Sequence, residues 1–320
     1  MQLYHDFKHI SFNLGFLLFL LINMSLVDYA VAGGKEKSTS DGDENAFQKY
    51  WFSGQAEITR YALEQARYGE IHKGDAVLIF VTEDFLTDKQ VKYEFGDAKH
   101  AIPILKLNFT KKFYTGIYPY SIMTSIFTPV DVNKNSTLKV TSSSQEWCGH
   151  TFMQLNARND KFDVLLRSYF QNEGDQEFEL KSALLEDEVW TKIRLAPNTL
   201  PTGSIKIIPG LQFARLRHVP LKIEKATARL STLKQPSLSP NELWVYAIEY
   251  QDIKRKLVIT FEKNFPYRIL AWEESHPSGF GAKAKMLTTR AVKTHAIKSP
   301  YWSKNKVSDS YLRDNLGLIY

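Results

Sequence analysis

One cysteine, Cys148, stands in 320 residues. A lone thiol closes no internal disulfide and builds no Cys/His zinc cluster, which excludes both of those staples. After the first thirty residues no run is apolar enough to span a bilayer as a helix. The chain has no H-E-x-x-H, no EF-hand loop, no G-x-S-x-G, no P-loop and no G-x-G-x-x-G, so the motif-bearing metalloproteases, α/β-hydrolases and nucleotide binders are not indicated. No repeat of fixed period is visible. Charge of one sign is also scarce: 41 Lys and Arg stand against 35 Asp and Glu, a moderate excess of six. With 43% hydrophobic residues the composition excludes wholesale disorder, collagen and coiled coil. The length suits one large domain or two small ones.

What is present begins with an address. Lys8 and the terminal amine precede an apolar stretch from Phe12 to Val27, which ends in Ala30-Val31-Ala32 before Gly33. A basic start, a short apolar core and an A-x-A site form the three-part layout of a secretory signal, so residues 1–32 are expected to be a cleaved signal peptide. An uncleaved N-terminal anchor is the alternative; the stretch is short for a membrane span and holds Asn13 and Asn23. Residues 33–45 are small, polar and charged and read as a flexible leader.

Residues 46–320 read as a β-rich domain. Ala76-Val77-Leu78-Ile79-Phe80-Val81 is rich in strand formers. With Ala56–Tyr61 upstream and Lys73-Gly74-Asp75 before it, it predicts a hairpin turning at Gly74. Residues 60–68 have helical propensity, but a long strand is the preferred reading. Further strands are expected at 104–109 and 121–127. Hairpins are expected at 151–155 with 162–170, around Asn156–Asp160, and at 243–250 with 256–261. One helix is predicted from Leu184 to Ile193, with apolar residues at 185, 189 and 193, acids early, Lys192 and Arg194 late, and Pro197 as its stop. Six of the twelve prolines lie in 197–240, the candidate boundary between two halves. The predicted fold is mainly β: an antiparallel curved sheet or barrel with one or two short helices, after an N-terminal signal helix.

Chemistry is harder to find. Cys148 and His150, in Trp147-Cys148-Gly149-His150, would share one face of a strand, and a histidine can activate a thiol. A small buried hydrophobe is the commoner role for such a cysteine. Glu83-Asp84 and Glu273-Glu274 are carboxylate pairs, the second beside Trp272, but neighbours on a strand point to opposite faces and a glycosidase needs its acids across a cleft. Glu273 stays a weak candidate. Ser278–Lys283 reads as a glycine-rich turn. The seven acids in 171–190 read as solvated charge at a strand end and a helix start, and lack calcium-loop spacing. Lys283, Lys285, Arg290, Lys293, Lys298, Lys304 and Lys306 form a stretch with no acid, interleaved with Tyr301 and Trp302. These are candidate contacts to an anionic lipid or glycan surface; the alternative is a soluble, edge-protecting strand face. Charge reversal at Lys293 and Lys298 is expected to weaken such docking, and the same change at Lys111 and Lys112 is not. No cofactor or metal is expected. Export disfavours nucleic acid as a partner.

The order of several stretches resembles a group of exported proteins of Gram-negative bacteria that often carry the label "septum formation inhibitor Maf". The stretches are Tyr50–Ile58, Ala76–Glu83, Gly116–Met123, Gln145–His150, Leu200–Gly203 and Pro266–Glu273, and the resemblance covers most of the chain after residue 32. It implies a place in the periplasm or cell envelope. The nucleotide pyrophosphatases properly called Maf carry S-x-S-P-R-R, which is absent here: Ser239-Pro240 and Ser299-Pro300 are not followed by arginines. No catalytic residue is carried over. Three readings follow. The first is a non-enzymatic envelope protein that binds an amphipathic or anionic component (a lipid, a glycan) or a partner protein in the concavity of its sheet. The second is an exported hydrolase using Cys148 and His150 or carboxylates assembled by the fold. The third is the pyrophosphatase of the label, which the missing motif disfavours.

Overall fold

The computed structural model describes residues 40–131 and 136–318. The expected signal peptide and residues 33–39 of the leader lie outside them. Helix α1 (Ser40–Trp51) leads into a long meander: β1 (Ala56–Arg67), β2 (Glu70–Leu86), β3 (Val91–Lys92), β4 (Ala101–Thr115), β5 (Tyr118–Pro129), β6 (Lys139–Glu146), β7 (Gly149–Arg158), β8 (Lys161–Ser168) and β9 (Gln176–Lys181). Two-residue β10 (Leu184–Leu185) enters α2 (Glu186–Leu195), and β11 (Gly203–Ile208) enters α3 (Leu211–Arg217). The meander resumes with β12 (Glu224–Leu233), β13 (Leu243–Tyr250), β14 (Lys256–Glu262), β15 (Ile269–Ser278) and β16 (Lys285–Ser299), and short α4 (Tyr311–Asn315) follows.

All strands belong to one sheet, in the order β10-β11-β12-β13-β14-β15-β16-β1-β2-β4-β5-β6-β7-β8-β9, with β3 on β2. Neighbours are antiparallel except the β10–β11 pair. The first and last long strands pair with each other, from Ala56 opposite Ser299 to Glu64 opposite Arg290. The first and last long strands are therefore neighbours within the sheet, and its two edges, β9 and β10, are consecutive in sequence, joined only by Ser182 and Ala183. The sheet is curved but unclosed. Among the described residues no helix is long and apolar enough to cross a membrane.

Period-two alternation sets the inner face. On β4 the inward set is Leu105, Leu107, Phe109, Lys111, Phe113 and Thr115. Helix α2 fills the concavity. Trp190 packs edge-on to Phe109 at 4.9 Å and to Trp272 at 5.3 Å, and Tyr61 meets Trp272 at 4.7 Å. A helix enclosed on all sides must satisfy its polar groups internally. Arg194 does so with both nitrogens on the Glu57 carboxylate at 2.6 and 2.8 Å, and its Nε donates to the Pro266 carbonyl at 3.0 Å. Glu188 accepts from the Leu185 and Thr137 amides and pairs with Lys192. At the foot of the sheet Lys298 Nζ donates to the Tyr50 carbonyl in the last turn of α1 at 2.7 Å and sits 4.0 Å from the Tyr50 ring. A cation there suits both the free carbonyl and the helix dipole.

Several expectations are corrected. The first hairpin turns at Tyr68-Gly69, not at Gly74, and β1 is a strand through Arg67. Gly74 lies inside β2 because a Cβ there would stand 2.2 Å from the Lys112 carbonyl and 2.7 Å from the Phe113 Cβ. The last leader residues, from Ser40, are helical in α1. The acids opening α2 are not solvated: Glu186, Asp187 and Glu188 are all buried. Strand β16 is not an edge, since β1 and β15 flank it. Lys111 is no surface control for charge reversal, because it is buried on the inner face of β4. Residues 197–240 carry β11, α3 and β12, which continue the same sheet.

Candidate functional site

Where β9 parts from β10, the concavity is not filled. A cavity of about 910 Å³ lies between the inner faces of β7 to β9, helix α3 and the segment after it. Met153, Val164, Leu166, Phe178, Ala214 and Leu221 give it an apolar floor. The floor follows from the strands' alternation: Met153, Val164 and Leu166 are the inward-facing members of β7 and β8. Its volume falls in the range of small-molecule sites, and its apolar floor is joined by polar and charged residues of the β8–β9 segment and of α3.

The polar groups converge on one side of the mouth. Ser168 Oγ donates to Glu173 at 2.5 Å, and Glu173 Oε1 meets His218 Nδ1 at 2.5 Å. Arg215 Nη1 lies 3.0 Å from His218 Nε2, and Arg215 Nη2 lies 3.3 Å from Glu146. A guanidinium only donates, so Nε2 accepts and Nδ1 carries the hydrogen given to Glu173. Burial pulls the His218 imidazole down in pKa, against the opposing pull of Glu173. Neutral His218 therefore has its one basic nitrogen occupied and is a structural brace. It ends α3 in the left-handed conformation, at φ 51°. Phe170 lies beneath the Arg215 guanidinium at 4.7 Å and edge-on to His218 at 4.9 Å. The network ties the β8–β9 loop to α3 across the cavity mouth.

A second polar cluster lies beneath the first turn of α2. Arg255 pairs with both Glu186 and Glu274, Tyr250 donates to Glu186, and Asp187 accepts from the Leu211 amide at 3.0 Å. Burial pushes the Asp187 carboxyl up to about 7. Burial pushes Glu274 the same way, but Arg255 and Lys111 outweigh it and hold that carboxyl at about 2. Lys111 is lowered by burial and lies 5.4 Å from the Phe109 ring centre. The void among these groups is only about 20 Å³, room for one water and no substrate.

The residues singled out in the sequence lie elsewhere. Cys148 is exposed in the β6–β7 turn, and with His150 borders a separate, open hollow of about 490 Å³ outside the sheet. Interaction with the Glu146 carboxylate raises the Cys148 thiol, opposite to the shift that makes a thiolate nucleophile. Glu273 is paired with Arg290 at 2.9 Å, both about half-exposed, on the outer face of β15 and β16. Its neighbour Glu274 faces inward, as alternation requires. Of the basic stretch, Lys298 is committed to α1 and Arg290 to Glu273, while Lys283, Lys285, Lys304 and Lys306 are exposed and Lys293 is half-buried opposite Tyr61. None of the seven lines the cavity, although Phe280, in the same connection as Lys283, does. Among the described residues no group of three or more His, Cys, Asp and Glu is placed to hold a metal ion.

The cavity residues carry no motif. His218 and Glu173 lie 45 positions apart, and only the fold joins them.

No protein-family model matches the chain, and no curated protein matches it. Among solved structures it is similar to the crystal structure of a β-barrel-like protein of domain of unknown function DUF1849 from Brucella abortus. The TM-score is 0.44 at 10% identity, over 76% of this chain and 97% of that one.

Proposed function

We propose that this protein is a non-enzymatic binder of an amphipathic molecule of the cell envelope, exported to the periplasm by residues 1–32. The observation that carries the reading is the cavity of about 910 Å³ at the open edge of the sheet, apolar on its floor and polar at one side of its mouth. The floor would take a hydrocarbon body, and the Arg215, His218 and Glu173 side of the mouth a polar head. The exposed acids near the mouth, Asp175 and Glu177, disfavour a strongly anionic head there. The raised thiol of Cys148 counts against a hydrolase that uses Cys148 and His150.

A fluorescently labelled single-chain lysophospholipid, below its micelle concentration, tests this. It is expected to bind the wild-type protein and to lose affinity in Leu166→Trp and in Ala214→Phe, which fill the cavity from opposite walls. Melting curves establish that both variants are folded. Unchanged affinity in folded variants, or no binding by the wild type, would overturn the proposal.

A further inference from the structure

In a meander alternate turns share one end of the sheet. The register places the β1–β2, β4–β5, β6–β7, β8–β9 and β15–β16 connections at the end where the cavity opens. These connections are aromatic. Phe280 lies 5.9 Å from Tyr68, Tyr118 donates to the Tyr68 hydroxyl, and Tyr118 stacks on Trp147 at 6.3 Å. Tyr169 packs over Gly149, two residues beyond Trp147, and touches Phe170, which borders the cavity. The result is a band of rings on the loop tips at this end of the sheet: Phe170 and Phe280 border the cavity, and Trp147 and Tyr169 border the open hollow beside it. The tips are open to solvent: Ile117 is 82% exposed, Tyr169 77%, Trp147 69% and Phe280 69%. An apolar band of this kind on separate loops has no role in the core, since each tip points away from it.

Charge accompanies it on one side. Phe280 is followed by exposed Lys283 and Lys285, while Lys222, beyond the mouth residues Val219 to Leu221, is paired with Glu224 at 3.2 Å. Residues 275–308 contain no acid at all. Acids are also present at this end: Asp175 and Glu177 lie beside Arg167, and Glu70 and Asp252 are exposed on the β1–β2 and β13–β14 connections. Aromatic tips flanked by lysines are complementary to a lipid–water interface with phosphate headgroups: the rings enter the headgroup layer and the lysines meet the phosphates.

We infer that the aromatic rim of the cavity mouth docks on an anionic lipid bilayer, so that the cavity opens toward the membrane surface. This inference rests on the amphiphile-binding reading and adds the surface from which such a ligand would enter. It revises the part of the basic stretch that matters: Lys283 and Lys285 belong to the rim, whereas Lys298 holds α1.

Co-sedimentation with vesicles of phosphatidylcholine, alone or mixed equally with phosphatidylglycerol, tests it. The protein is expected to sediment with the mixed vesicles, less with phosphatidylcholine alone, and to be released by salt. The Ile117→Ser/Trp147→Ser variant, changed at two open tips that do not line the cavity, is expected to lose more than about tenfold in binding, as two large apolar side chains leave the lipid. Lys283→Glu/Lys285→Glu is expected to abolish the preference for the anionic vesicle. Phe95→Ser/Val307→Ser, changed at equally open sites (86% and 93% exposed) away from the rim, is expected to sediment as wild type. Wild type that fails to sediment, rim variants that sediment normally, or controls that fall equally would overturn the inference. The lysophospholipid titration separates this from the cavity reading: rim variants should retain the soluble probe, and Leu166→Trp should lose the probe while still sedimenting.

Discussion

Asp187→Asn examines the buried cluster that joins α2 to α3. The Asp187 carboxyl is enclosed, accepts one amide hydrogen bond from Leu211, and is raised from 3.8 to about 7 chiefly by burial. A folded-state pKa above the unfolded value means that the folded protein holds a proton the unfolded chain has released. The favourable contribution is complete below about pH 4 and is lost as pH rises toward 7. That interval is worth about 4 kcal/mol at 1.36 kcal/mol per unit. Asparagine keeps the acceptor for Leu211 and never ionises. Its second amide hydrogen needs a partner that the site does not offer, at a cost of about 1–3 kcal/mol. The variant should therefore be less stable than wild type near pH 4.5 and more stable at pH 8.5. The difference between the two proteins should change by about 3–4 kcal/mol across the range. At about 2–4 °C per kcal/mol the relative melting temperature should move by roughly 6–16 °C. Taking the difference cancels every other titrating group that the substitution leaves alone. Thermal melts of both proteins from pH 4.5 to 8.5 supply the measurement. A difference independent of pH, or one that falls as pH rises, would refute the placement of a buried, protonatable carboxyl at this position.

Other expectations are simpler. Glu57→Leu leaves the Arg194 guanidinium buried without its bidentate partner and should cost about 3–5 kcal/mol in urea unfolding. Gly74→Ala puts a methyl into the Lys112 carbonyl and the Phe113 side chain, so a loss of at least about 1–3 kcal/mol is expected; wild-type stability would show that β2 and β4 do not approach as described. Alkylation of Cys148 by iodoacetamide should be rapid only at alkaline pH, with its inflection above that of a free cysteine, because Glu146 raises the thiol. Glu146→Gln should bring the inflection down, and a reactive thiol at neutral pH would revive the hydrolase reading.

The sheet was legible because its signal is local. Apolar runs such as Ala76–Val81 and the alternation of Leu105, Leu107 and Phe109 state both strand and face. The α2 segment declared itself by spacing, by charge order and by Pro197. The same periodicity applies to Lys111, which has the parity of Phe109 and Phe113 and lies inside with them. Helix α3 has seven residues, too few for a periodic signature, and its place depends on Asp187 accepting the Leu211 amide. Gly74 resembled a turn because glycine serves both a turn and a close strand approach, and sequence alone does not separate them. The cavity was illegible for a different reason. Its walls come from residues 153–178, from 214–221 and from Phe280, which only the fold brings together. The basic stretch was read as one unit, yet the strand divides it between a helix brace, a surface ion pair and a rim.

An amphipathic ligand that enters at the open edge of the sheet must reach the cavity floor. Methyl NMR on protein labelled at methionine tests this most directly, with a single-chain lysophospholipid that bears a nitroxide on its acyl chain. Met153 lies on the cavity floor, while Met123 is 44% exposed on the outer face of β5. The Met153 methyl resonance is expected to broaden on addition of the probe while Met123 does not, and Leu166→Trp is expected to remove the effect. Broadening at Met123 with Met153 untouched would place the ligand outside the sheet and contradict the account.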